Sequence, residues 1–140
     1  MSCFSHVGIA SLPFEIFQQL SRELQTVLPH DLMVLTELDV REGIIRMAAH
    51  AGECEPVVPA EGVKLTPEEM ERRIDFEIIH DMPAEIPPDT ERHRLLLASG
   101  LRAWLRVPVF LSGEVKGGLS FFHKDASRFT WEDAEVARRV

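Results

Sequence analysis

Arg102, Trp104, Arg106 and Phe110 recur at even spacing through a stretch whose odd positions, from Leu101 and Ala103 to Leu111, are aliphatic. If that stretch is a strand, period-two geometry puts the cationic and aromatic groups on one face and the aliphatic groups on the other. A face of this kind can wall a polar pocket for an anionic or planar ligand. The simpler arrangement is a half-exposed sheet face with arginine stems over an aromatic ring, a cation–π contact of about 0.5–2 kcal/mol. A buried arginine without a carboxylate is costly, so Asp81 or Glu77 must lie nearby if Arg102 points inward. With His80 beside Asp81, the candidate ligand-binding set is Arg102, Trp104, Arg106, His80, Asp81 and Phe110.

Other chemistry finds less support. Six histidines (His6, His30, His50, His80, His93 and His123) invite a metal or haem site, because imidazole is a common ligand. No two stand at helical i, i+3 or i, i+4 spacing, so solvated or hydrogen-bonded histidines are expected and no metal site. Cys54 lies between acidic neighbours, which raise a thiol pKa and make it a poor nucleophile. Cys3 is too distant to pair with it as metal ligands, and two cysteines build no disulfide framework, which fits a reducing cytoplasm. A Gly-rich phosphate loop, a nucleophile elbow and a zinc signature are all absent from the sequence. Neither catalytic residues nor a cofactor are assigned, and binding rather than turnover is expected.

The chain that must position these groups has 140 residues, one domain's worth. Its 45% hydrophobic and 27% charged residues, with a mean hydropathy of -0.04, fit a globular domain rather than a disordered or fibrous one. A net charge of -8 argues against direct contact with nucleic acid, whose phosphates need a positive surface. No window approaches the roughly 20 apolar residues of a membrane span, and Met1 to Ala10 carries no basic leader.

Ser11 can cap a helix with Pro13 in its first turn and Phe14, Phe17, Leu20, Leu24, Val27 and Leu28 as its apolar positions, ended by Pro29. Asp31 to Val40 reads as a strand, Arg41-Glu42-Gly43 as a turn, and Ile44 to His50 as the antiparallel partner. Residues 53–62 support only loop. Thr66-Pro67-Glu68-Glu69 has the form of a capping box with proline at the first helical position. Ile74, Phe76 and Ile78 alternate into a strand reaching His80-Asp81, with continued helix as the alternative. Pro83, Pro87 and Pro88 mark a second loop, followed by a short helix from Thr90 to Ala98, closed by Gly100. Leu101 to Leu111 and Val115 to His123 form a hairpin about Ser112-Gly113-Glu114, and Thr130 with Asp133 opens a last helix carrying Ala134, Ala137 and Val140. This order is α+β, met by an antiparallel sheet with the terminal helices on one face.

The run Gly100-Leu101-Arg102-Ala103-Trp104-Leu105-Arg106-Val107-Pro108-Val109 resembles the fourth strand of a GAF domain. Gly113 to Phe122 resembles the next GAF hairpin, and Phe129-Thr130-Trp131-Glu132-Asp133 the start of its last helix. The opening helix, the strand pair ending at Ala51-Gly52, and Asp81 fall where that pattern places them. The resemblance implies a GAF-like, PAS-related sheet of five to six antiparallel strands. It also implies a pocket roofed by loops and short helices on the face opposite the terminal helices, in a sensory module of a bacterial signalling protein. Its variants with special chemistry fit less well. The GAF domains that reduce methionine sulfoxide use several cysteines near the pocket, whereas this chain has Cys54 alone there. Bilin-binding relatives carry a characteristic cysteine, yet His93 in the helix from Thr90 to Ala98 has none after it. The cyclic-nucleotide Asn-Lys-Phe-Asp-Glu signature cannot occur in a chain without asparagine.

The expectation is therefore a single GAF-like domain over residues 1–140, with its last helix cut short, that binds a small molecule of unknown identity and controls an output domain. A module beginning almost at Met1 favours a sigma-54-dependent transcriptional regulator. The rival is a ligand-free dimerisation module of a histidine kinase or cyclic-di-GMP enzyme, with a sealed interior. Ile16 and Leu20 widen the apolar sector of the first helix, as expected of a homodimer formed through the terminal helices.

Overall fold

The computed structural model describes residues 14–54, 58–59 and 61–140. Cys3, His6, the Ser11 cap and Pro13 lie outside the described residues.

The chain runs through α1 (Phe14–Leu24), β1 (Leu32–Asp39), β2 (Ile44–Gly52), β3 (Val63–Lys64), α2 (Pro67–Arg72), β4 (Glu77–Ile79), α3 (Met82–Glu85), α4 (Glu91–Ala98), β5 (Ala103–Leu111), β6 (Glu114–His123) and α5 (Trp131–Arg138). The six strands make one antiparallel sheet in the order β3-β2-β1-β6-β5-β4. The central strand β1 reads Leu-Met-Val-Leu because both of its faces are covered, so apolar residues need not alternate with polar ones.

Met33, Leu35, Ala103, Leu105, Val107, Leu119 and Phe121 face α1 and α5, whose Phe17, Ala134 and Ala137 complete the larger core with Leu28 and Phe129. Both terminal helices thus lie on one face, as the element order implies. The other face carries a second cluster around Leu32, Val34, Trp104 and Phe122, closed by Met82, Ile86 and Leu96 from α3 and α4. Leu101 belongs to this second cluster and not to the aliphatic face expected for it, because it precedes β5 and escapes that strand's alternation.

Local signals act as their chemistry predicts. Thr66 and Thr130 each cap a helix through the hydroxyl and donate the reciprocal bond from their own amides to Glu69 and Asp133, while the Thr90 hydroxyl caps α4 by accepting from the His93 amide. The β5–β6 turn holds Ser112 and Gly113 at φ 55° and 79°, the pair of left-handed conformers that matches strand twist in a two-residue hairpin. Gly52, at φ 121°, lets the end of β2 approach the Asp31 backbone where a Cβ would collide with its carbonyl.

Three elements depart from expectation. β3 pairs with Ile44 and Ile45 just after the region read as loop, and two residues show no periodicity. α3 occupies the stretch read as a proline loop, with Pro83 in its first turn, where a missing N–H costs nothing. The strand expected from Ile74 shrinks to Glu77–Ile79, and Ile74 is exposed.

Candidate functional site

Trp104 and Arg106 stand two residues apart on β5, opposite Phe122 and Ser120 of β6, and rise from the face away from the terminal helices. The Trp104 and Phe122 rings lie nearly parallel, 5.7 Å between centroids. A half-open cleft covers them. Its apolar wall includes Val34, Ile45, Leu96 and Phe122, and its polar lining is Thr36, Ser120, Arg73 and Arg92. The cleft's cavity volume is about 20 Å³, room for one or two waters. A smaller cavity of about 10 Å³ lies among Arg72, Glu69, Glu77 and Arg106, and Arg73 and Arg92 border both spaces.

Arg92 comes from α4, whose Thr90 cap sets the helix so that this arginine turns inward, 8% exposed. Its Nη1 donates to Glu69 Oε2 at 2.7 Å, and its guanidinium carbon sits 4.8 Å from the Trp104 ring centroid. Glu69 has two duties: Oε1 accepts the Thr66 amide in the capping box while Oε2 accepts from Arg92. Arg106 is only 2% exposed; its Nη2 donates to the Arg72 carbonyl at 3.1 Å and, more weakly, to Glu77 Oε1 at 3.4 Å. Arg73, which follows α2, is 3% exposed and makes no ion pair among the described residues.

The charges do not balance. Three buried guanidiniums face two carboxylates, Glu69 and Glu77, leaving one positive charge over. Burial pushes Arg73 well below the ordinary arginine value, and the Arg92 and Arg106 guanidiniums push the same way. Arg106 and Arg92 are also lowered by burial, with Glu77 and Glu69 respectively opposing the fall. Guanidinium starts so high that all three remain protonated at neutral pH. Burial pushes the Glu69 carboxyl up, but the Thr66 amide and Arg92 outweigh it and hold it below the ordinary range. Arg73 Nη2, Arg106 Nε and Nη1, and Trp104 Nε1 are buried without a hydrogen-bond partner among the described residues. Such atoms are rare in a finished interior and mark a place where an acceptor belongs.

Of the six residues expected to bind ligand, the cleft region gathers two, Trp104 and Arg106. Arg102 precedes β5 and points to the surface, where Nε and Nη2 donate to the two Asp81 oxygens at 2.9 and 2.6 Å. That pair holds the Asp81 carboxyl below its usual value, through the hydrogen bonds first and the charge second. His80 is exposed, and its carbonyl accepts from the Ser127 amide. Phe110 keeps the phase of Trp104, since Val109 and Leu111 on either side of it pack on the helix face, but it lies near the far end of β5, 49% exposed and away from the residues that line the cleft. Arg73, Arg92, Glu69 and Ser120 were not expected. Glu77 is a partner as foreseen, but of Arg106 rather than Arg102. Cys54 has a raised thiol pKa, with burial as the leading cause and Asp31 ahead of Glu53, so packing counts for more than acidic neighbours.

The fold recurs among solved proteins. A phycocyanobilin-bound GAF domain from a cyanobacterial phytochrome superposes with a TM-score of 0.67 at 15% identity, over 96% of this chain and 80% of that one. The type II free methionine-R-sulfoxide reductase of Thermoplasma acidophilum gives 0.65 at 16%, over 94% and 87%. The GAF domain of a phosphoenolpyruvate-protein phosphotransferase from Coxiella burnetii gives 0.64 at 18%, over 92% and 79%. At these identities the likeness is one of fold. No curated protein matches the sequence. The family model for the GAF domain matches residues 13–140, and the chain belongs to the GAF domain family.

Proposed function

We propose that this GAF domain is a sensory module that takes up a small molecule in the cleft over Trp104 and passes its occupancy to an output domain, by binding rather than turnover. The observation that carries this reading is the group of partnerless buried donors beside a cleft walled by apolar side chains. A ligand-free dimerisation module has no need of three buried arginines, whose desolvation is costly. At about 20 Å³ the cleft must open for anything larger than a few atoms, and the short helices over it, α2 and α4, are the elements that would move. Native mass spectrometry of the protein purified from cells tests the reading. A bound mass released on denaturation, and lost in Trp104→Ala, is expected; a bare mass whose thermal stability responds to no small-molecule collection overturns it.

The output we propose is that of a bacterial, cytoplasmic transcriptional regulator of the sigma-54-dependent class, one of several output contexts that a GAF domain can serve. The adjoining gene sequence decides: an ATPase with a helix-turn-helix end supports it, and a phosphoacceptor histidine domain refutes it. We assign assembly to a homodimer through the terminal helices, because Phe14 and Ile16 on α1 and Val27 in the turn after it are half or more exposed. Leu20 packs partly against its own core, so Ile16→Glu is the cleaner substitution. Sedimentation should show a micromolar dimer that Ile16→Glu dissociates; a wild-type monomer contradicts the assignment.

A further inference from the structure

We propose that the ligand of this cleft is a small monocarboxylate, held by Arg73, Arg106 and the Trp104 indole N–H, with its carbon body on the apolar wall. The inference rests on the cleft being a ligand site, as proposed above, and adds what kind of ligand it takes.

Three observations converge. The donors without partners are Arg73 Nη2, Arg106 Nε and Nη1, and Trp104 Nε1, all of them N–H groups, so the missing group must accept. Arg73 and Arg106 are close neighbours, since a Cβ placed on Gly118 would lie 3.4 Å from the Arg106 stem and 3.6 Å from Arg73 Nη1. Planar guanidinium forks match the two-oxygen geometry of a carboxylate. Finally, the buried guanidiniums of Arg73, Arg92 and Arg106 outnumber Glu69 and Glu77 by one, and the exposed Arg72 at the rim of the smaller cavity adds a solvent-screened positive charge. A monoanion cancels the buried part of that surplus, and a neutral molecule or trapped water leaves it standing.

Short-chain length follows from the space. Arg73 borders both cavities, so an acid group placed at Arg73 leaves the larger cleft for its carbon body, against Val34 and Phe122. With about 20 Å³ there, a body of a few carbons needs the least opening. Trp104 is already engaged by Phe122 and by Arg92, which argues against a large aromatic ligand stacking on it.

Isothermal titration calorimetry on the whole chain tests this with acetate, propionate, butyrate and benzoate, each beside its amide, and with inorganic phosphate. At least one short acid should bind about tenfold or more tightly than its amide, the equivalent of about 1.4 kcal/mol. Arg73→Met should weaken that acid by a similar factor, and Lys116→Met, on the exposed hairpin, should not change it. Equal binding of acid and amide, or phosphate binding more tightly than every acid, overturns the monocarboxylate while leaving the cleft a ligand site. If no acid, amide or phosphate binds at millimolar concentration, the monocarboxylate is overturned, and the native mass measurement decides separately whether the cleft holds any ligand. The acid–amide comparison uses the unaltered protein, so a poorly folding variant does not block it.

Discussion

The two faces of the sheet are finished to different standards. On the helix side, Phe17, Phe121, Phe129 and the small Ala134 and Ala137 fill the space with apolar atoms, and both ring nitrogens of the buried His30 have partners. On the cleft side, Arg73, Arg92 and Arg106 are taken out of water with two carboxylates between them and four N–H atoms unmatched. The first face behaves as an interior that supports folding. The second carries a desolvation cost that the first does not, which is what the proposed ligand-binding role would require of it.

Truncation of the helix face should show the largest effect. Phe121 has no exposed surface and touches both the sheet and the helix layer, so Phe121→Ala should cost about 3–5 kcal/mol in urea unfolding. A loss under about 1 kcal/mol would mean that this face is as loosely finished as the other.

On the cleft face, the sign should depend on which charge is removed. Glu69→Gln keeps an acceptor for the Thr66 amide but strips Arg92 of its closest counter-charge, and should cost roughly 3 kcal/mol. Arg73→Met removes a guanidinium without an ion pair from beside two others, and should leave stability unchanged or raise it by about 1 kcal/mol in the absence of ligand. Melting temperatures of both variants measure this directly. If Arg73→Met is as destabilising as Glu69→Gln, the excess charge is already compensated and the contrast between the faces weakens.

The helix face was far more legible in the sequence than the cleft face, for a physical reason. Period-two alternation in Ala103 to Val109 and the capping boxes at Thr66 and Thr130 are local patterns whose meaning does not depend on distant residues. Burial of Arg73 and Arg92 has no local signature, because an arginine on or beside a short helix is ordinarily solvated, and what buries these two is a sheet whose strands come from all along the chain. Arg102 and Phe110 stood in phase with Trp104, yet phase does not say how far along a strand the covering helices reach. One lies before β5 and the other near its exposed far end. β3 and α3 escaped notice because two and four residues carry too little periodicity to be seen among prolines.

Acid should separate the two faces by the pH at which each begins to lose stability. His30, 5% exposed behind α1, has Nε2 2.7 Å from the Ser21 hydroxyl and Nδ1 2.7 Å from the Leu28 carbonyl, an arrangement that a neutral ring satisfies with Nδ1 donating and Nε2 accepting. Burial lowers its pKa below 6.5, with the Leu28 carbonyl and Asp31 only partly opposing. As pH falls through 6.5 the unfolded histidine takes a proton that the folded one refuses, so its contribution is whole above that value and drains until the folded pKa is reached. Glu69 on the cleft face is depressed below 4.5, so its contribution is whole above 4.5 and drains only as pH falls further. Urea unfolding between pH 7.5 and about 4 should therefore show a decline starting near 6.5. That early decline should flatten in His30→Gln, while Glu69→Gln should keep it and alter only the more acidic limb. An early decline that persists in His30→Gln would locate the first acid-sensitive contact somewhere other than the helix face.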